Sequence, residues 1–189
     1  MNNEWSIKTK QIGVIRVSYK LINQLLKFKQ NNINTPESGG VLIGKYLNSG
    51  GTLLIDDLTP PQVSDQQGRC MYYRSMSHNN LVQQIWRESD HYSTYVGLWH
   101  THPESVPIYS SIDKDDWLNA LNNSQYEGKN LLFFIVGQSH IRCWLGTKKI
   151  IKNKIKVPKS IAKNSIKALE KPMLNKFTID KIKPFCNSA

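Results

Sequence analysis

GLWHTHPESVPIYSSIDKDDW, residues 97–117, begins as a strand and ends as a helix. The run YVGLWHTHP (95–103) reads as a strand that stops at Pro103, because proline has no amide to give a ladder. DKDDWLNALNN (113–123) reads as a helix. In a strand, residues i and i+2 point to one face, so His100 and His102 offer two imidazoles to the same side. Asp113 returns a carboxylate after a short loop. Two nitrogens and one oxygen, with a fourth position left to water, form the ligand set of a catalytic zinc site.

Working outward, IGVIRVS (12–18) is a predicted strand, and residues 18–30 have helical apolar spacing with Ser18 as a plausible N-cap. GGVLIGKYL (39–47) and GTLLIDDLT (51–59) read as strands joined by a hairpin at NSGG. A long polar loop, 60–70, and a short strand, 71–75, precede a helix over 77–89 that Ser77 could cap. NLLFFIVG (130–137) and SHIRCWLG (139–146) read as two strands turning near Gly137. The alternation predicts an α/β (α+β) fold, a central mixed sheet flanked by helices. Residues 172–189 read as loop or loosely ordered chain.

Of the net charge of +11, the segment from Lys148 onward holds +10, from twelve lysines against Glu170 and Asp180. This asymmetry divides the chain into a near-neutral domain, 1–147, and a lysine-rich extension, 148–189. The extension reads as a solvated tail, a patch for an acidic partner, or a phosphate contact. It has no arginine and only Phe177 and Phe185 as aromatics, which argues against a specific nucleic-acid reader. No apolar run reaches the roughly 20 residues of a membrane span, and MNNEWSIKTKQ lacks a signal-peptide core. Three widely spaced cysteines, Cys70, Cys143 and Cys186, argue against a disulfide framework, so the expected compartment is the cytoplasm.

A hydrolase on His100, His102 and Asp113 needs more than the ion. Bound zinc lowers the pKa of its water from 15.7 toward about 7, and a base must then carry the proton to the leaving amine. Glu37, just before GGVLIG, is the candidate for that base. Ser110, three residues before Asp113, could aim its hydroxyl at a developing oxyanion. Ser110-x-x-Asp113 is also the spacing of a helix capping box, and the two readings are compatible for the serine. His78, His91 and His140 read as ordinary surface or helix-end residues, and Trp86, Trp99, Trp117 and Trp144 as core or rim packing.

ESGGVLIGK, then HTHP, then SSID together resemble the signature of the JAMM (JAB/MPN-plus) zinc metalloproteases. The resemblance runs through roughly residues 12–147 and implies a JAB/MPN-like, cytidine-deaminase-like architecture. It places Glu37 at the family's general acid/base, Ser110 at its oxyanion serine, and His100, His102 and Asp113 at the ligands of one catalytic Zn²⁺. WHTHPESVPIYSSID is more similar to the stand-alone bacterial members, including the deconjugating peptidases of type II CBASS anti-phage operons. The implied activity is cleavage of an amide or isopeptide bond after the C-terminal residue of a conjugated protein. The implied partner is a conjugate with an extended C-terminal tail, either a ubiquitin-like protein or a CBASS nucleotidyltransferase. Where relatives often have Pro-Ser, this chain has Tyr109-Ser110, a change that removes no catalytic group. Loops 60–70 and 103–110 are the expected walls of the substrate groove. The alternatives are a non-catalytic MPN-type scaffold, against which the complete residue set argues, and a metallopeptidase acting on other peptides.

Overall fold

The computed structural model describes residues 4–47, 51–150 and 175–186. Its core is an eight-stranded mixed sheet. The strands are β1 (Trp5–Thr9), β2 (Gly13–Val17), β3 (Gly39–Leu47), β4 (Thr52–Leu58), β7 (Thr94–Thr101), β8 (Asn130–Val136), β9 (His140–Ile150) and β10 (Asn175–Cys186). They lie in the order β1-β2-β4-β3-β7-β8-β9-β10. The β2–β4 and β7–β8 pairs are parallel and the others antiparallel. A separate small hairpin is formed by β5 (Gln66–Gly68) and β6 (Met71–Tyr73). The α+β expectation with a mixed central sheet is met.

Among the described residues, three helices cover the sheet: α1 (Tyr19–Leu26), α2 (Ser77–Glu88) and α3 (Ser111–Asn123). Strand alternation sorts the core into two layers. Leu42, Trp99, Leu132 and Phe134 join Leu21, Ile22 and Leu25 of α1 on one face. Val41, Leu98, Phe133 and Ile135 join Trp117, Ala120 and Leu121 of α3 on the other. The Trp117 ring stacks on Phe133 with centroids 4.6 Å apart, which seats α3 on β8. β7 is buried from Val96 to Thr101 because helices lie on both sides of it.

Ser18 caps α1 as expected, accepting from the Leu21 amide at 3.2 Å. Ser77 does not cap α2: Met76 holds that position without a side-chain bond, and the Ser77 hydroxyl meets Ser64 Oγ at 2.8 Å. Pairing of β3 with β4 agrees with the predicted hairpin, although residues 48–50 of its turn lie outside the described residues. Where residues 172–189 read as loop, β10 covers 175–186 and pairs antiparallel with β9. The strand ladder comes from β9, a partner that no local pattern announces.

Candidate metal centre

β7 and the residue that follows it deliver the two histidines. Leu98 and His100 share the α3 face, and His102 follows two residues on. Gly39, at the start of β3, pairs with His100, so the residues just before β3 arrive beside the histidines. A Cβ on Gly39 would collide with the Tyr72 ring and lie 2.8 Å from the Trp99 carbonyl, so this close approach requires glycine. α3 supplies Asp113 from its first turn. Its position is set by a full capping box: Ser110 Oγ accepts from the Asp113 amide at 3.1 Å, and Asp113 Oδ2 accepts from the Ser110 amide at 2.6 Å.

The three side chains converge. His100 Nε2 and His102 Nε2 lie 3.0 Å apart. Asp113 Oδ1 is 3.0 Å from His100 Nε2, and Oδ2 is 3.4 Å from His102 Nε2. Tetrahedral zinc with bonds of about 2.0–2.2 Å needs ligand atoms about 3.3–3.6 Å apart. The donor set suits one zinc ion, with one ligand atom from each residue lying within 4.8 Å of the other two. Both imidazoles and the carboxylate are largely withdrawn from water.

Burial works to raise the Asp113 carboxyl. Hydrogen bonds from His100 and His102, the charge of His100 and the Ser110 amide outweigh it and hold the group well below the usual carboxylate range. Burial lowers His102, but bonding and charge from Asp113, with Glu37 and Glu104 beyond it, raise it on balance. Glu37 is buried at 6% exposure and lines the same cleft as His100, His102 and Asp113. Burial pushes its carboxyl up to about 7; His102 lowers it, while Asp113 and Glu104 raise it further.

That shift has a measurable consequence in metal-free protein. A folded value of about 7 against 4.5 in the unfolded chain means that stability is full below pH 4.5 and declines as the carboxyl ionises toward pH 7. After chelation, Glu37→Gln should raise Tm at about pH 8 and change it little at about pH 4. A thermal melt series checks this; an equal Tm difference at both pH values would contradict it.

The cleft has a volume of about 630 Å³. One wall is Cys70 to Arg74, so β6 and its flanks form it, with only Cys70 drawn from the 60–70 stretch named from sequence. Pro103, Glu104 and Ser110 come from the other expected loop, and Ile112, Asp115 and Asp116 from α3. Ser110 Oγ lies 2.8 Å from Asp113 Oδ2 and donates to it, so the hydroxyl is turned toward the Asp113 carboxylate.

His78 stands at the N-terminal end of α2, one of the two expected placements, but not at the surface. It is fully buried, with Nδ1 2.6 Å from Thr59 Oγ1 and Nε2 3.0 Å from Asp65 Oδ2. Tyr72 OH donates to the same Asp65 oxygen at 2.9 Å. Burial raises Asp65, but amides of Gln62 and Ser75 and the His78 ring together hold it well below the normal carboxylate range. This network anchors Tyr72, and with it the β6 wall, to β4 and α2. Its signal is absent from local spacing because the partners come from separate segments. Trp99, Trp117 and Trp144 are buried, while Trp86 is 42% exposed.

A family profile described as prokaryotic homologs of the JAB domain matches residues 20–146. A Vibrio cholerae protein named CD-NTase/cGAS isopeptidase is 33% identical over 129 residues, covering 68% of this chain and 78% of the relative. An Escherichia coli protein of the same name is 31% identical over 138 residues, covering 72% and 82% respectively. The solution structure of a Desulfitobacterium hafniense protein aligns at TM-score 0.50 and 17% identity, covering 69% of this chain and 83% of that one. That likeness concerns the fold.

Proposed function

Because this chain belongs to the prokaryotic JAB family, we propose that it is a zinc-dependent isopeptidase of the JAMM type, acting in CBASS anti-phage defence. The observation that carries the proposal is the His100–His102–Asp113 cluster in a cleft that also holds the buried Glu37. The substrate is a CD-NTase joined through its C-terminal residue to an amine, in keeping with the names of the relatives. The catalytic residues are assigned to the 1–147 unit, and the lysine-rich extension, 148–189, holds the end of β9 and the edge strand β10 that pairs with it.

Bound at the cluster, zinc would acidify water and polarise a carbonyl. His100, His102 and Asp113 would hold it. The capping box keeps the Asp113 oxygens facing the imidazoles. Glu37, buried in the same cleft as the cluster, takes a proton from the attacking water and passes it to the leaving amine. Ser110, once its hydroxyl turns from Asp113, can donate to the oxygen on which charge develops. An extended tail can pair with β6, which pairs with β5 alone among the described residues and whose residues line the cleft.

The test is an isopeptide-linked CD-NTase conjugate incubated with purified protein and read by intact mass. Release of CD-NTase with its native C-terminal residue is expected, lost on chelation and restored by zinc. Cleavage that persists through exhaustive chelation, or that cuts inside CD-NTase, would rule the proposal out. No described helix is long and apolar enough to cross a membrane.

A further inference from the structure

Beneath the metal cluster, on the opposite face of β7, lies a closed set of hydrogen bonds. Thr101 sits between His100 and His102, so strand alternation sends its side chain away from them. It is fully buried, as is Gln30, four residues beyond the end of α1. Thr101 Oγ1 accepts from the Ser38 amide at 3.0 Å and donates to Gln30 Oε1 at 3.1 Å. The Thr101 amide donates to the Ser38 carbonyl at 2.8 Å. Gln30 Nε2 donates to the Thr35 carbonyl at 3.1 Å and the Arg69 carbonyl at 2.8 Å. Beside Arg69, the Gly68 carbonyl accepts from the Glu37 amide at 2.7 Å.

The bonds close a circuit through Gln30, Thr101, Ser38, Glu37, Gly68 and Arg69. Glu37 and Ser38 precede β3 and belong to no helix or strand. Their amides find acceptors only within this circuit: Glu37 on Gly68, Ser38 on Thr101. Both hydrogen-bonding ends of the Gln30 amide are committed to it. In a buried site each lost partner leaves a polar group unsatisfied, so the arrangement is strongly specified.

We propose that Gln30 and Thr101 are positioning residues that hold Glu37 in register with the histidines. This rests on the reading of Glu37 as the proton carrier. His100 is held by ladder pairing of β7 with β3 and β8, and the His102 amide donates to the Val136 carbonyl at 3.0 Å; neither contact uses the side chain of Gln30 or Thr101. Loss of the circuit should therefore displace the carboxylate and spare the metal. A displacement of about 1 Å is enough to cost on the order of 10²-fold in rate.

The test compares Thr101→Val, which keeps shape without the hydroxyl, with Thr101→Ser, which keeps the hydroxyl. Gln30→Met supplies the same loss from the other partner and serves if Thr101→Val does not fold. Expected for Thr101→Val and Gln30→Met is a kcat fall of about 10- to 100-fold, with KM within about twofold and zinc content unchanged. Amide hydrogen exchange at Ser38 in chelated protein should quicken in both, and Thr101→Ser should recover rate and protection together. Unchanged kcat in Thr101→Val and Gln30→Met, with Glu37→Gln inactive, would overturn the positioning role alone. A Thr101→Ser protein as impaired as Thr101→Val would overturn it as well. Full activity in Glu37→Gln would overturn the reading of Glu37 and the positioning role with it.

Discussion

Glu37→Gln is expected to lower the cleavage rate by about 10³-fold while leaving about one zinc per chain, since proton transfer by a placed side chain is worth roughly 10²–10⁴. The amide has the carboxylate's shape and fits the same buried position, but it cannot accept and return a proton at neutral pH. Glu37 is absent from the His100–His102–Asp113 ligand group, so the metal should stay. The checks are single-turnover cleavage and metal analysis on the same preparation. A near wild-type rate would remove Glu37 from the proton path; loss of zinc would make it part of the ion's support.

His102→Ala should abolish both activity and metal binding. Two donors would remain, His100 and Asp113, whereas zinc in a catalytic site is held by three protein ligands. The truncation also deprives Asp113 of one of the two imidazoles that keep its carboxyl ionised. Zinc per chain after dialysis is the decisive measurement, with full occupancy contradicting the ligand assignment. A fall in zinc without a fall in cleavage would contradict the metal's role in the reaction. Because the His102 ring is largely buried, a circular dichroism melt establishes that the variant is folded before its zinc is counted.

Much of the site was legible because its chemistry is packed into one stretch. His100-Thr101-His102 is a period-2 pattern, and Ser110 with Asp113 is a local capping pattern. The strands over 39–47 and 130–136 were legible for the same kind of reason, being apolar runs bounded by glycine or polar residues. Others were not. The burial of His78 was not legible, because histidine occurs both inside and outside folds and its burial here depends on Thr59, Asp65 and Tyr72 arriving around it. β10 was hidden because a lysine-rich segment reads as solvated until a neighbouring strand offers it a ladder. Gln30 carried no signal at all, since its partner Thr101 is 71 residues away.

By itself the sequence determined which donors exist and how they alternate: two imidazoles on one strand face and a carboxylate at the start of the next helix. Those follow from strand geometry and helix capping, which act over two to four residues. Only the tertiary structure decided that Glu37 stands beside them, through the rung that pairs Gly39 with His100. It alone decided that burial raises this carboxyl to about 7 and that Ser38 and Thr101, 63 residues apart, share a bond beneath the site. Desolvation and long-range pairing are properties of the packed chain, set by every segment that excludes water from the cleft.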